Sequence, residues 1–238
     1  MTTKRFQLVE LVVILVVIMV GLSLVPALLG QLMTQAKTKQ CAVNMAEIIK
    51  AATSYSNDNS GYLPPAYNSK QKVGTNWPMR LRSYLKLSTR KSGWKPKDYA
   101  IFTCPADETK TAKWLPRNGH LSKISYCCNL AVMDITNADG NADKVKGSRK
   151  LKDIKEPAKV IVFAENHNSS NGLRYSDQSF KCYNKYYSFE YTVKNGTLEN
   201  DKGKRGYHDY KNNWAFADGS VKTMRWEDTV KPENLWKP

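Results

Sequence analysis

From Phe6 to Leu29 the chain carries 24 residues with a single ionisable side chain, Glu10. No other feature limits its architecture so strongly. A helix of that length extends ~36 Å at ~1.5 Å per residue. The hydrocarbon layer of a bilayer is ~30 Å thick, so one tilted pass fits. A cleavable secretory signal would have a shorter apolar stretch of ~7–15 residues closed by an A-x-A-like site. Neither is present, which leaves residues 6–29 as an expected transmembrane helix. A charge in hydrocarbon costs at least ~2.5–3.5 kcal/mol, so the acid near the start of the span calls for a partner. Lys4 and Arg5 on one side balance Lys37 and Lys39 on the other, so counting positive charges does not orient the segment. The short stretch before it is too small to be a domain, so the large remainder is expected on the extracytoplasmic side.

Pro26 removes one backbone donor near the far end of the run and predicts a kink rather than a stop. Beyond it the helical pattern continues over 30–56. Leu28, Leu32, Ala42, Ala46, Ile49 and Thr53 recur at steps of three and four and predict the packed stripe. "NDNSG" at 57–61 ends the helix with turn chemistry. The expectation is one helix of ~50 residues, ~75 Å long, half in lipid and half outside.

Residues 57–238 read as a globular, β-rich domain. The chain's 13 Tyr and 6 Trp, all but Tyr55 within it, supply material for a packed core. "YAIFTC" (99–104), "KISYCCNL" (123–130), "KVIVFAE" (159–165), "YYSFEYTV" (186–193), "NNWAFA" (212–217) and "SVKTMRW" (220–226) have strand composition. Asp218-Gly219 between the last two predicts a type I′ hairpin, with Trp214, Phe216, Val221 and Thr223 on one face. No helical pattern separates the strands, so the fold class is α+β: a long N-terminal helix, membrane-spanning in its first half, then an antiparallel sheet.

"KRFQLVELVVILVVIMV" resembles the N-terminal signature of type IV prepilins and type II secretion pseudopilins over about twenty-five residues. "FTCPADE" (102–108), "KEPAKVIVFAE" (155–165) and "HDYKNNWAFADG" (208–219) resemble prepilin-type proteins named for an H-X9-DG motif, here His208 with Asp218-Gly219. The resemblance implies a leader, residues 1–5, removed by a prepilin peptidase between Arg5 and Phe6, and methylation of the new amine. It implies that Glu10 neutralises the N-terminal amine of a neighbouring subunit, a pairing that makes a buried carboxylate tolerable. Two features depart from the family. Arg5 stands where Gly is usual, and Pro26 follows Glu10 by one residue fewer, which turns the distal helix by ~100°. His208 and Asp218 are expected at opposite ends of the hairpin, in separate structural roles rather than as a catalytic or metal pair.

Enzyme motifs are missing: the chain has no G-x-S-x-G, P-loop, Rossmann glycine pattern or H-E-x-x-H, and the expectation is a protein without catalysis or cofactor. "DITNADGNAD" offers Asp134, Asp139 and Asp143 as calcium candidates, but its spacing misses an EF-hand and favours a solvated loop. Five cysteines in an extracytoplasmic domain predict disulfides with at least one thiol left over. The resembled family suggests Cys41 with Cys104; pairing of Cys104 or Cys182 with Cys127 or Cys128 is the alternative. No C-x-x-C pair points to zinc.

The net charge is +16, and loss of Lys4 and Arg5 with the leader makes it +14. Basic residues concentrate in 70–97, interleaved with Trp77, Tyr84 and Trp94, a composition suited to nucleic acid or an anionic glycan as well as to a plain solvated face. Two functions follow as expectations. The first is a pilin-like structural subunit in the inner membrane, partnered by other such subunits. The second is an anchored extracytoplasmic binding protein or adhesin.

Overall fold

The computed structural model describes residues 8–68, 77–87, 100–107, 121–129, 131–133, 135–136, 148–165, 172–174, 208, 211–225, 227–229, 233 and 235. The leader with Arg5 and Phe6, the expected strand 186–193, Asp134, Asp139, Asp143 and Cys182 lie outside the described residues.

Helix α1 runs from Leu8 to Asp58, 51 residues, and passes through Pro26. It has two unlike parts. From Leu8 to Met33 its large apolar side chains are 44–78% exposed. This is the one helix among the described residues long and apolar enough to cross a membrane. From Cys41 onward the same helix is embedded: Cys41, Met45, Ile48, Ala52 and Tyr55 are buried at steps of three and four. Of the expected stripe, Ile49 is fully buried, and the rest of the packed face is shifted by about one residue. Ala42, Ala46 and Thr53 lie on its flank, only partly buried, while Leu28 and Leu32 are exposed.

The sheet against this half consists of β3 (Tyr126–Cys128), β5 (Ile161–Glu165), β7 (Asn212–Phe216) and β8 (Val221–Met224), antiparallel in the order β3-β5-β7-β8. Short elements precede β3, among them β1 (Tyr67–Asn68), α2 (Trp77–Arg80) and β2 (Leu121–Lys123). β1 pairs in parallel with β4 (Ile135–Thr136), and β2 pairs antiparallel with β6 (Gly172–Arg174). The antiparallel sheet after a long apolar helix matches the α+β expectation in outline.

Two local expectations fail, each for a backbone reason. Residues 100–102 form a 3₁₀ turn rather than a strand; the Ser125 N–H donates to the Phe102 carbonyl across 2.9 Å and holds that turn beside β3. The hairpin turn is not type I′, because Gly219 has φ +88 while Asp218 is not among the positive-φ residues. The Gly219 N–H donates to the Phe216 carbonyl at 2.9 Å, so Ala217 and Asp218 form the corners and Gly219 supplies the left-handed step. The register moves with the turn. Trp214 faces Lys222 and Ala215 faces Val221, so Val221 and Thr223 share the face of Asn213 and Ala215, opposite Trp214 and Phe216.

β5 carries an irregularity between Ile161 and Phe163: Ile161 pairs with Phe216, yet Phe163 pairs with Ala215. The extra residue turns Phe163 and Glu165 toward α1. Phe163 there joins Trp77 and Phe102 in an aromatic core, with the Trp77 ring 4.8 Å from Phe163 and 5.6 Å from Phe102. Trp77 is fully buried. It is therefore core, and the stacking surface expected over 70–97 loses one of its aromatics.

Candidate functional site

Polar groups converge where α1 crosses the sheet. Thr38 and Cys41 come from α1, Cys104 from the segment after the 3₁₀ turn, Tyr126 from β3, Glu165 from the end of β5, and Asn213 from β7. His208 precedes β7 and is fixed by reciprocal backbone bonds with Lys211, 2.9 and 3.1 Å. Cys41, Cys104, Glu165 and His208 are each at most 3% exposed. Each contributes one donor atom, and the four atoms lie within 4.8 Å of one another.

Glu165 is the centre. Its Oε2 accepts from the Asn213 N–H at 2.7 Å, and its Oε1 accepts from Asn213 Nδ2 at 3.2 Å. His208 Nε2 lies 2.7 Å from the same Oε1, and the Cys41 thiol donates to it as well. Cys104 Sγ sits 3.6 Å from His208 Nε2 and accepts from the Ala106 N–H at 3.3 Å. The Tyr126 hydroxyl lies 3.2 Å from Cys41 Sγ.

The His208 tautomer follows from Thr38. The Thr38 hydroxyl donates its one proton to the Thr34 carbonyl at 2.9 Å, so toward His208 Nδ1, 3.1 Å away, it can only accept. Nδ1 is therefore protonated and Nε2 points into the cluster. A bare Nε2 lone pair 2.7 Å from a carboxylate oxygen would be repulsive, so positive charge belongs between them. Burial alone would lower the His208 pKa, but contacts with Cys41 and the Glu165 carboxylate outweigh it and raise it to about 9. Burial pushes the Cys41 thiol and the Tyr126 hydroxyl upward, so both are neutral in this arrangement.

No known protein family, curated protein or solved structure matches this chain.

The residues singled out by sequence are dispersed. His208 stands at the open end of the hairpin in the buried cluster, whereas Asp218 is at the turn, where its Oδ1 accepts from the Ser220 N–H and hydroxyl at 2.9 and 2.6 Å. Gly219 shapes that same turn. Glu10 lies in the first turn of α1, far along the helix from the sheet. Cys41 and Cys104 are brought together as free, buried thiols rather than as the expected disulfide, and Cys127 and Cys128, on opposite faces of β3, are free and buried as well. Sequence reasoning missed Glu165, Thr38, Tyr126 and Asn213. The available signal was "KVIVFAE", an apolar run that ends on one acid. A strand buried along its whole length leaves such an acid no route to water.

Proposed function

We propose that this protein is a membrane-anchored, pilin-like structural subunit of a type II secretion or type IV pilus-like system, without catalysis of its own. One observation carries the reading: a single 51-residue helix has an uncovered apolar first part and a second part built into the core of a sheet domain. A helix used only to anchor would end at the membrane surface. A continuous one couples the head rigidly to the lipid-embedded segment, as a subunit stacked through its helices requires. Glu10, in the first turn of that helix, is the residue assigned to pair with a neighbour's terminal amine.

Intact-mass measurement of the membrane fraction tests maturation. The expected product begins at N-methylated Phe6; a mature chain that retains Arg5 defeats processing. Glu10→Ala is expected to leave membrane insertion intact and to weaken cross-linked oligomers. Undiminished oligomers in that variant would remove the pairing role.

A further inference from the structure

We propose that Cys41, Cys104, Glu165 and His208 form a buried tetrahedral site for a divalent transition-metal ion, best suited to zinc, that fastens the helix to the sheet. This site is independent of whether the chain assembles as a subunit.

The donor set is the first argument. Two sulfurs, one imidazole nitrogen and one carboxylate oxygen complete a four-coordinate site that keeps no open position, which is the pattern of structural rather than catalytic zinc. Hard cations such as calcium or magnesium want oxygens, and this set offers one.

Geometry is the second. Zinc bonds of ~2.0–2.3 Å imply donor-to-donor edges of roughly 3.3–3.8 Å in a tetrahedron. The 3.6 Å between Cys104 Sγ and His208 Nε2 already fits. Glu165 Oε1 lies inside that edge both from His208 Nε2, 2.7 Å away, and from the Cys41 thiol, so it is this one carboxylate oxygen that withdraws to make room for the ion.

The surrounding shell is the third. The Thr38 oxygen accepts from His208 Nδ1–H and so aims the Nε2 lone pair inward. Asn213 donates twice to Glu165, the Ala106 N–H donates to Cys104 Sγ, and the Tyr126 hydroxyl lies against Cys41 Sγ. Binding releases three protons to solvent, one from each thiol and the one on His208 Nε2, and the ion takes the place of the positive charge between Nε2 and Oε1. Two thiolates, one carboxylate, a neutral imidazole and a dication sum to −1, and the encircling N–H and O–H donors stabilise that residual charge.

The test uses the full-length protein purified in mild detergent without chelator. Elemental analysis is expected to find one zinc per chain, with Cys41 and Cys104 resistant to alkylation until a chelator is added. Stripped, reduced protein titrated with cobalt(II) alone is expected to develop the visible bands of a tetrahedral thiolate site at one equivalent. Cys104→Ser should abolish those bands. Thr38→Val preserves shape but loses the acceptor for Nδ1–H, and should weaken cobalt affinity about ten- to a hundred-fold while leaving the fold intact. Recovery of Cys41 and Cys104 as a disulfide from native protein would overturn the proposal. So would reduced protein that shows no cobalt spectrum, or a Thr38→Val variant with unchanged affinity.

Discussion

Glu165→Gln in chelator-treated protein isolates the electrostatics of the buried cluster. Without a metal, the positive charge beside Glu165 is the His208 imidazolium, and the imidazole pKa stands at about 9 in the fold against ~6.5 unfolded. The folded value is the higher one. The stabilisation it brings is therefore fully present below pH ~6.5 and is lost as pH rises to about 9. At ~1.4 kcal/mol per pKa unit the difference amounts to ~3 kcal/mol, with a slope that approaches ~1.4 kcal/mol per pH unit inside the window. Glutamine retains the shape and an acceptor for the Asn213 N–H, but it cannot hold an imidazolium. The variant should be less stable than the parent by up to ~3 kcal/mol near pH 6, and the two should converge near pH 9. Denaturant unfolding in detergent at half-unit pH steps reads this directly. If the parent curve were flat from pH 6 to 9, or if Glu165→Gln kept the parent's slope, the assigned His208–Glu165 ion pair would be wrong.

Gly219→Val should cost ~1–3 kcal/mol and Gly219→Asn clearly less in the same unfolding assay, because the φ of +88 is the obstacle while a Cβ there meets nothing within 4 Å. Equal losses would point instead to a packing cause. Trp77→Ala should cost ~3–5 kcal/mol through the cavity left beside Phe102 and Phe163, a melting drop of roughly 10 °C or more in a chain of this size; an unchanged melt would mean the ring is not in the core. Lys222→Gln should change stability by no more than ~1 kcal/mol, since its contact over the Phe216 ring is at an exposed site.

Elements dominated by local chemistry were legible in the sequence. A long apolar run followed by a stripe at helical spacing can only be a helix, and Asp218-Gly219 can only sit in a turn. What escaped depended on one-residue distinctions. The helix presents Cys41 and Met45 rather than Ala42 and Ala46, a shift of one position that side-chain size alone does not set, since Ala51 and Ala52 are buried in the same helix. The hairpin register followed from Asp218 accepting a bond from the Ser220 N–H instead of adopting positive φ, a choice open to Asp-Gly in either turn type. The buried cluster had no local spacing to betray it. Its four side chains come from separate stretches of chain, and each alone reads as a solitary cysteine, histidine or acid. Only the way α1 crosses the strand ends makes them neighbours.

The irregularity in β5 makes the cluster a matter of parity. A strand assigns odd and even positions to opposite sides, so one surplus residue between Ile161 and Phe163 reverses the assignment for all that follows. Excising Val162 would remove the surplus residue and leave these pairings, with Glu165 still on the α1 side, whereas excising Ala164 would set Glu165 opposite Trp214 and send its carboxylate away from Cys41 and His208. The Ala164 deletion barely changes the composition of the chain, yet the cluster loses its acid. A single-residue deletion, which exposed loops generally tolerate, acts here as a frameshift written in three dimensions.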